Sequence, residues 1–316
     1  VWMAVLFFGI LGFAADLLST PFDVYDTFVI EEKYGFNKTT PKTYVLDKIK
    51  GWIVGGIIGG GLLALIVWLY TLAGDWFWLL AWGAVSLFSI FMSMFYSNLI
   101  VPLFNKQTPL PEGDLRDEIE SFAGKVGFKL KNIYVIDGSK RSTKANAYFT
   151  GLGPKKRIVL FDTLIENHSR EELVAVLAHE IGHYKKKHTT LGLILGILQT
   201  GIVLYILNLF IGNPLLSQAL GAGQGSFHMG LLAFGILYSP ISTVLGIVMN
   251  VISRKHEYAA DRFATVHYDG SALREALKKL SVKNLSNLRP HPATVFVHYS
   301  HPPLLKRLEA IREKEQ

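Results

Sequence analysis

Two long segments of this chain are almost free of charged residues, and they limit its fold more than any other feature. Residues 188–253 contain no Asp, Glu, Lys or Arg, and residues 51–105 contain a single charged side chain, Asp75. A transmembrane helix needs about 20 mainly apolar residues. Each segment therefore predicts two membrane-spanning helices joined by a turn, near Asp75 in the first segment and near Gly212 in the second.

One further span is expected at the start of the chain, where residues 1–18 are apolar apart from Asp16. Half of all residues are hydrophobic and the mean hydropathy is +0.30, which excludes an ordinary soluble enzyme. We predict a mainly α-helical integral membrane protein with five spans. One predicted span carries glycines at a spacing that favours close packing against a neighbouring helix. They are Gly55, Gly56, Gly59, Gly60 and Gly61.

The basic residues lie between the predicted spans. A polar loop at 31–50, the segment 106–187 and the tail from Arg254 are rich in Lys and Arg, whereas the connections near 71–76 and 213–225 have none. With alternating spans all three basic segments lie on one side, which the positive-inside rule makes cytoplasmic. The net charge of +7 therefore indicates a lipid bilayer rather than nucleic acid as a partner. We expect a multi-pass protein of a bacterial inner membrane or of the endoplasmic reticulum membrane.

A His-Glu-x-x-His motif at residues 179–183 is the main candidate for chemistry. The helix that carries it is predicted to start at Ser169, because Ser169 and Glu172 have the spacing of a capping box. On that helix His179 and His183 share one face, so both imidazoles are able to bind one metal ion. Glu180 lies beside them, in position to take a proton from a water molecule that the metal activates.

A catalytic zinc needs a third protein ligand, and the candidate is Glu257. It precedes Asp261 by four residues, on the same face of a predicted helix. We interpret Asp261 as the group that accepts a hydrogen bond from a ligand imidazole. The chain has no cysteine, so zinc must use histidine and carboxylate ligands. Other histidines lack a partner at ligand spacing and are interpreted mainly as interfacial or loop residues: His188, His256, His267, His291 and His298.

Around the motif, the sequence predicts a small α+β domain. An amphipathic helix is expected over 112–127, and strands over 132–136, 145–149 and 157–161, where β-branched and aromatic residues are frequent. The strand at 145–149 is a candidate edge to which an extended substrate is added. The predicted parts are membrane spans with a cytoplasmic loop (1–105), a zincin-like domain (106–187), a two-span hairpin (188–253) and the helical remainder of the catalytic domain (254–316).

Six segments together resemble the membrane zinc metalloproteases of the CAAX prenyl protease 1 family. The similarity runs from about Pro21 to the C-terminus and is far more specific than the zinc motif alone. The segments are FVIEEKYGFN (28–37), NAYF (146–149), RIVLFDTL (157–164), HEIGH (179–183), EYAAD (257–261) and HYSHPPLL (298–305).

The resemblance implies a bundle of membrane helices that encloses a chamber, with the zinc site inside it. It further implies that Asn146 holds the substrate backbone and that His301 helps to stabilise the tetrahedral oxyanion. Eukaryotic substrates of the family are isoprenylated proteins ending in a CAAX motif, which lose their last three residues. Because the family has spans before this point, the chain is expected to be a prokaryotic-like or N-terminally truncated member.

The sequence leaves a second substrate class open and argues against two other functions. If the source lacks prenylation, the substrates are membrane-associated peptides or damaged membrane proteins. An intramembrane zinc protease would carry its motif inside a hydrophobic span, but charged residues such as Glu171 and Lys185 flank this one. A non-catalytic membrane scaffold with a structural zinc would have no use for Glu180.

Overall fold

The computed structural model describes residues 1–128, 133–151 and 156–315, and helices dominate it. The helices are α1 (Trp2–Tyr25), α2 (Pro41–Ala73), α3 (Phe77–Leu99), α4 (Val101–Phe104), α5 (Asp114–Lys125), α6 (Asp162–Asn167), α7 (Arg170–Lys185), α8 (His188–Phe210), α9 (Pro214–Ala219), α10 (Phe227–His267), α11 (Gly270–Lys283), α12 (Pro292–His298) and α13 (Leu304–Glu315). The strands are β1 (Gln107–Pro109), β2 (Ile133–Ile136), β3 (Ala147–Thr150) and β4 (Arg157–Phe161).

The chain forms two compact units. Unit 1 consists of Val1–Met92 and Gly192–Ser242, and unit 2 of Ser93–Leu191 and Thr243–Gln316. The long helices α3, α8 and α10 each contribute residues to both units.

Four segments are long and apolar enough to cross a membrane: Trp2–Glu31, Pro41–Phe104, His188–Phe210 and Phe227–His267. The second has 64 residues, whereas one span needs about 20. A 3₁₀ turn at Gly74–Trp76 divides it into α2 and α3. Gly74 has a φ of +51°, which glycine adopts without the steric cost of a side chain. Both helices predicted between residues 51 and 105 are therefore present.

The prediction of a polar loop over residues 31–50 is wrong in its second half. Helix α2 begins at Pro41, and the Thr40 hydroxyl caps it by accepting a hydrogen bond from the Thr43 N–H at 3.2 Å. Proline suits the first position of a helix because that N–H has no partner within the helix. The lysines that follow are good helix formers. Lys48, on α2, contacts the Asp16 carboxylate of α1 at 2.9 Å.

Helix α10 continues without interruption through the point where the soluble tail was predicted to begin, at Arg254. Its 41 residues correspond to a length of about 60 Å. Its first part is apolar and its last turns carry Glu257 and Asp261. One continuous helix thus contains both a candidate membrane span and a candidate metal ligand.

An apolar cluster of residues from α2, α3, α8 and α10 forms the core of unit 1, and Phe77 is completely buried in it. Trp82 of α3 donates a hydrogen bond to the Ile197 carbonyl at 2.8 Å, and its ring covers Gly201, where an added Cβ would lie 2.9 Å from the indole nitrogen. The close packing predicted at the glycines between Gly55 and Gly61 is wrong for the residues that the structure describes. A Cβ added at any of them meets no atom within 4 Å. Glycine spacing permits close approach, but a partner of matching shape is also needed.

Unit 2 contains a four-stranded sheet with the order β1-β2-β4-β3. The central pair, β2 and β4, is parallel, and both outer strands are antiparallel to their neighbours. Three of these strands match the predicted ones, although Asn132 of the first prediction lies outside the described residues. Strand β1 was not predicted because three residues are too few for an alternating pattern. Strand β3 lies at the edge of the sheet.

Helix α7 is the central element of unit 2, and it packs against α5, α11 and β3. Its N-terminus has the predicted capping box: Ser169 Oγ accepts from the Glu172 N–H, and the Glu172 carboxylate accepts from the Ser169 N–H at 2.9 Å. Leu177 and Ile181 are completely buried in the core of the unit. The helix that carries the metal-binding motif is therefore fixed at its start and along its length.

We predict that Glu172→Gln lowers the free energy of unfolding by about 1 kcal/mol at neutral pH. The substitution weakens the cap and removes an ion pair with Lys279 of α11 at 2.7 Å. Burial raises the pKa of Glu172, but Lys279 and the Ser169 N–H outweigh it, so the net pKa lies below the ordinary 4.5. The stabilisation is therefore present above that value and is lost as the pH falls through the lowered pKa.

Thermal unfolding in detergent across an acidic pH series measures this effect. Glu166→Gln, which changes an exposed glutamate of α6, serves as the control. If the difference between wild type and Glu172→Gln were the same at neutral pH and well below pH 4.5, ionisation of Glu172 would have no part in it.

Candidate metal centre

Helix α7 presents two histidines to the interior of unit 2. His179 is buried and His183 is partly buried, one turn apart on the same face. Their Nε2 atoms lie 3.1 Å apart. Helical geometry thus brings together two imidazole nitrogens that a single ion is able to bind.

Glu257 of α10 completes a group of three donor side chains. Its Oε1 lies 3.2 Å from His183 Nε2, and its Oε2 lies 3.6 Å from His179 Nε2. In a tetrahedral site with bonds of about 2.1 Å, the ligand atoms are about 3.4 Å apart. The three donors, all within 4.8 Å of one another, therefore fit one metal ion and leave a fourth position open.

The two helices that carry these donors meet at a glycine. A Cβ added at Gly182 would lie 3.2 Å from the Cα and carbonyl oxygen of Ala260 and 3.1 Å from the Cβ of Phe263. A larger residue at position 182 would therefore require α10 to move away from α7 by a few tenths of an ångström. The short side chains at this contact let Glu257 reach the histidines.

Asp261 lies one turn after Glu257 and contacts the other ring nitrogen of His179. The distance from Asp261 Oδ1 to His179 Nδ1 is 2.8 Å. With the hydrogen on Nδ1, His179 donates it to the carboxylate and keeps Nε2 free for a metal. Arg307 of α13 donates two hydrogen bonds to the same carboxylate, at 2.8 and 2.6 Å.

Sequence patterns do not indicate Arg307, although its side chain is only 12% exposed and also lies 3.4 Å from Glu257. Its helix contains several other basic residues, so charge alone did not distinguish it. The sequence feature that distinguishes Arg307 is its position shortly after the His301-Pro302-Pro303 segment. Burial lowers the pKa of Arg307, but the Asp261 charge outweighs burial and keeps the guanidinium protonated. Burial likewise lowers the pKa of His179, and the hydrogen bond to Asp261 raises it above the ordinary value.

Glu180 lies beside the donor group and lines a cavity of about 530 Å³. Withdrawal from water raises the pKa of its carboxyl above the ordinary value, while the nearby histidines act in the opposite direction. A carboxyl group with a raised pKa is a better proton acceptor when ionised. The geometry thus offers a base next to a metal-binding group.

His301 and Asn146 line the same cavity. His301 is largely exposed, and its Nδ1 lies 2.9 Å from Glu257 Oε2. Asn146 immediately precedes edge strand β3, and its side-chain oxygen accepts a hydrogen bond from the Ala147 N–H at 2.9 Å. The structure therefore brings both residues to the cavity that contains the donor group.

The segment before His301 is attached to helix α10. Arg254 donates hydrogen bonds to the carbonyls of Val295 and Tyr299, and Asn250 donates to the carbonyl of Val297 at 2.8 Å. The position of His301 thus depends on the same helix that carries Glu257.

Two of the histidines interpreted as interfacial or loop residues lie against the donor group. His188 Nδ1 is 3.1 Å from His183 Nδ1. The His188 ring stacks on His256, with ring centres 3.9 Å apart and planes 5° from parallel. Sequence spacing did not reveal these contacts, because a turn between α7 and α8 separates His188 from His183.

Comparison with known proteins extends these observations. Residues 1–106 match the family model described as CAAX prenyl protease N-terminal, five membrane helices, and residues 109–315 match the model of peptidase family M48. The chain is 39% identical to CAAX prenyl protease 1 of Saccharomyces cerevisiae, over 98% of this chain and 72% of that protein. It is 40% identical to the CAAX prenyl protease 1 homolog of Arabidopsis thaliana, over 94% of this chain and 70% of the relative.

A solved structure has the same fold. The chain superposes on the crystal structure of S. mikatae Ste24p with a TM-score of 0.93 and 38% sequence identity, over 98% of this chain and 76% of that one.

We expect Gly182→Ala to destabilise the protein by about 1–3 kcal/mol and to reduce its bound metal, because the added methyl group pushes α10 away from α7. Thermal unfolding and elemental analysis of the purified protein measure the two effects. Gly124→Ala provides the matched control, since an added Cβ at this exposed position of α5 meets nothing within 4 Å. Gly124→Ala is expected to leave the stability of the protein unchanged or to raise it, because alanine favours the helix more than glycine does. Full metal content in Gly182→Ala would contradict the importance of the close approach.

Proposed function

Since the chain belongs to peptidase family M48, we propose that His179, His183 and Glu257 hold a zinc ion at which this membrane metalloendopeptidase hydrolyses peptide bonds. The observation that carries the proposal is the convergence of two imidazoles and a carboxylate within 4.8 Å of one another, beside Glu180 on the wall of one cavity.

Zinc is the metal that suits this donor set best. Two histidines and one glutamate, with a fourth position for water or substrate, are a recurrent ligand set of catalytic zinc in peptidases. When bound, zinc supplies a Lewis acid that polarises the scissile carbonyl and lowers the pKa of the attacking water.

Glu180 is the proton carrier in the proposed reaction. Its carboxylate removes a proton from the attacking water as the oxygen bonds to the carbonyl carbon. The carboxylic acid then donates that proton to the leaving amine as the C–N bond breaks. Glu180 is regenerated as a carboxylate at the end of the cycle, so that the net change is hydrolysis of one peptide bond.

Three neighbours complete the proposed site. Asp261 fixes the tautomer of His179 by accepting its Nδ1–H, and Arg307 balances the buried negative charge of Asp261 and Glu257. His301, on the cavity wall, donates a hydrogen bond to the oxyanion that develops at the carbonyl.

Asn146 is proposed to bind the substrate backbone. It immediately precedes edge strand β3, where an extended peptide is able to pair with the sheet. This arrangement aligns the peptide along the cavity wall that contains Glu180.

The proposed substrates are isoprenylated proteins that end in a CAAX motif, from which the C-terminal tripeptide is removed. Support comes from the relatives named CAAX prenyl protease 1, of which the chain covers about 70%. The basic segments between the apolar helices support a zinc site that opens to the cytoplasmic side. The enclosing chamber stays a prediction.

We expect Glu180→Gln to reduce peptide hydrolysis by a factor of about 10² to 10⁴ or more while zinc remains bound. Wild type and variant are compared on a farnesylated CAAX peptide and on the same peptide without the farnesyl group, with zinc content measured in parallel. Glu257→Gln is the companion variant, and it is expected to lose both zinc and activity.

The two peptides separate the proposed substrates. Preference of the wild type for the farnesylated peptide supports prenyl-protein processing, and equal cleavage supports a membrane quality-control protease. If zinc is bound but Glu180→Gln cleaves as fast as wild type, the assignment of Glu180 as the proton carrier is wrong.

A further inference from the structure

We propose that His188 is a positioning residue for the zinc ligand His183, and that His256 holds His188 in place by ring stacking. This inference rests on the proposed function, because it assigns the second layer of contacts around the proposed zinc site. It concerns two histidines on different helices that have no place in the reaction described above.

The contacts of the His183 ring determine which of its nitrogens carries a hydrogen. His183 Nε2 points toward His179 Nε2 and Glu257 Oε1, at 3.1 and 3.2 Å. A metal ion in that position requires Nε2 without a hydrogen, so the hydrogen of the neutral ring lies on Nδ1. His183 Nδ1 then donates to His188 Nδ1, which is 3.1 Å away.

The Nδ1 contact of His183 parallels that of His179, the other proposed histidine ligand. His179 Nδ1 is held by Asp261 at 2.8 Å, and His183 Nδ1 is held by His188 at a similar distance. Outer contacts of this kind fix the tautomer and the orientation of metal-bound imidazoles. A carboxylate serves one ligand and a neutral ring serves the other, which avoids a further buried negative charge near Glu257.

The backbone turn between α7 and α8 positions His188. His188 is the first residue of α8, and the preceding residue, Lys187, has a φ of +59°. Lys187 follows the last residues of α7, at the position where a left-handed residue commonly ends a helix. The resulting turn brings the His188 ring next to His183. These residues are five positions apart, whereas side chains that meet on one continuous helix are three or four positions apart.

His256 directly precedes Glu257 on α10. Its ring lies flat against His188, with centres 3.9 Å apart and planes 5° from parallel. Both rings are partly buried in unit 2. The stack therefore links the α7 ligand His183 to the helix that carries the third ligand.

The test measures metal binding rather than activity alone. The full chain in detergent is stripped of metal and titrated with zinc against a chelator at fixed neutral pH. Co²⁺ is then bound in place of zinc, since its visible absorption reports the geometry of the ligands. We expect His188→Leu to weaken zinc binding by about 10- to 100-fold and to shift the Co²⁺ spectrum.

Conservative variants separate positioning from packing. His188→Asn retains an acceptor near the position of Nδ1 and is expected to bind zinc within about threefold of wild type. His256→Phe keeps a flat ring and is expected to resemble wild type, whereas His256→Ala is expected to weaken zinc binding. Thr189→Leu, at the exposed neighbouring position on α8, is the control for added apolar bulk.

The proposal is overturned if His188→Leu binds zinc as tightly as wild type with an unchanged Co²⁺ spectrum. It is also overturned if His188→Asn is as weak as His188→Leu, since the hydrogen bond would then have no role. A wild-type chain that binds no zinc gives a separate result, which contradicts the proposed function itself.

Discussion

The close approach of α7 and α10 at Gly182 and Ala260 is the contact on which the candidate site depends. Neither helix has a complete donor set: α7 carries His179 and His183, and α10 carries Glu257 and Asp261. Donor atoms must lie about 3.4 Å apart to share one ion, so the helix axes have to come closer than large side chains permit. Glycine and alanine at the contact make this separation available.

Buried charge is the second constraint, and it explains why a third helix takes part. Glu257 and Asp261 are almost completely buried, and an unpaired carboxylate in such a position is costly. Arg307 of α13 contacts both carboxylates and compensates this charge. The same long helix α10 also anchors the segment before His301 through Arg254. The relative positions of the metal ligands, Glu180 and the cavity wall thus follow from contacts among α7, α10 and α13.

Local patterns predicted those elements whose signals lie within a few residues. The capping box at Ser169 and Glu172, the apolar helices and the strands at 133–136 and 157–161 all agree with the structure. The errors have physical causes. Lysine-rich sequence concealed the start of α2, although Thr40-Pro41 carried a capping signal. The glycines of α2 predicted close helix packing at that segment. Among the described residues the structure shows no such contact there and places a close contact with Trp82 at Gly201 of α8.

For the site, the sequence by itself determined which side chains share a helix face. His179 and His183, and likewise Glu257 and Asp261, are four residues apart, and helical geometry then aligns each pair. Only the tertiary structure decided that these pairs meet, that Arg307 joins them and that His188 and His256 stack behind His183. These contacts join residues that are distant in sequence or separated by a turn. Their formation depends on side-chain volume and chain direction, which local periodicity does not encode.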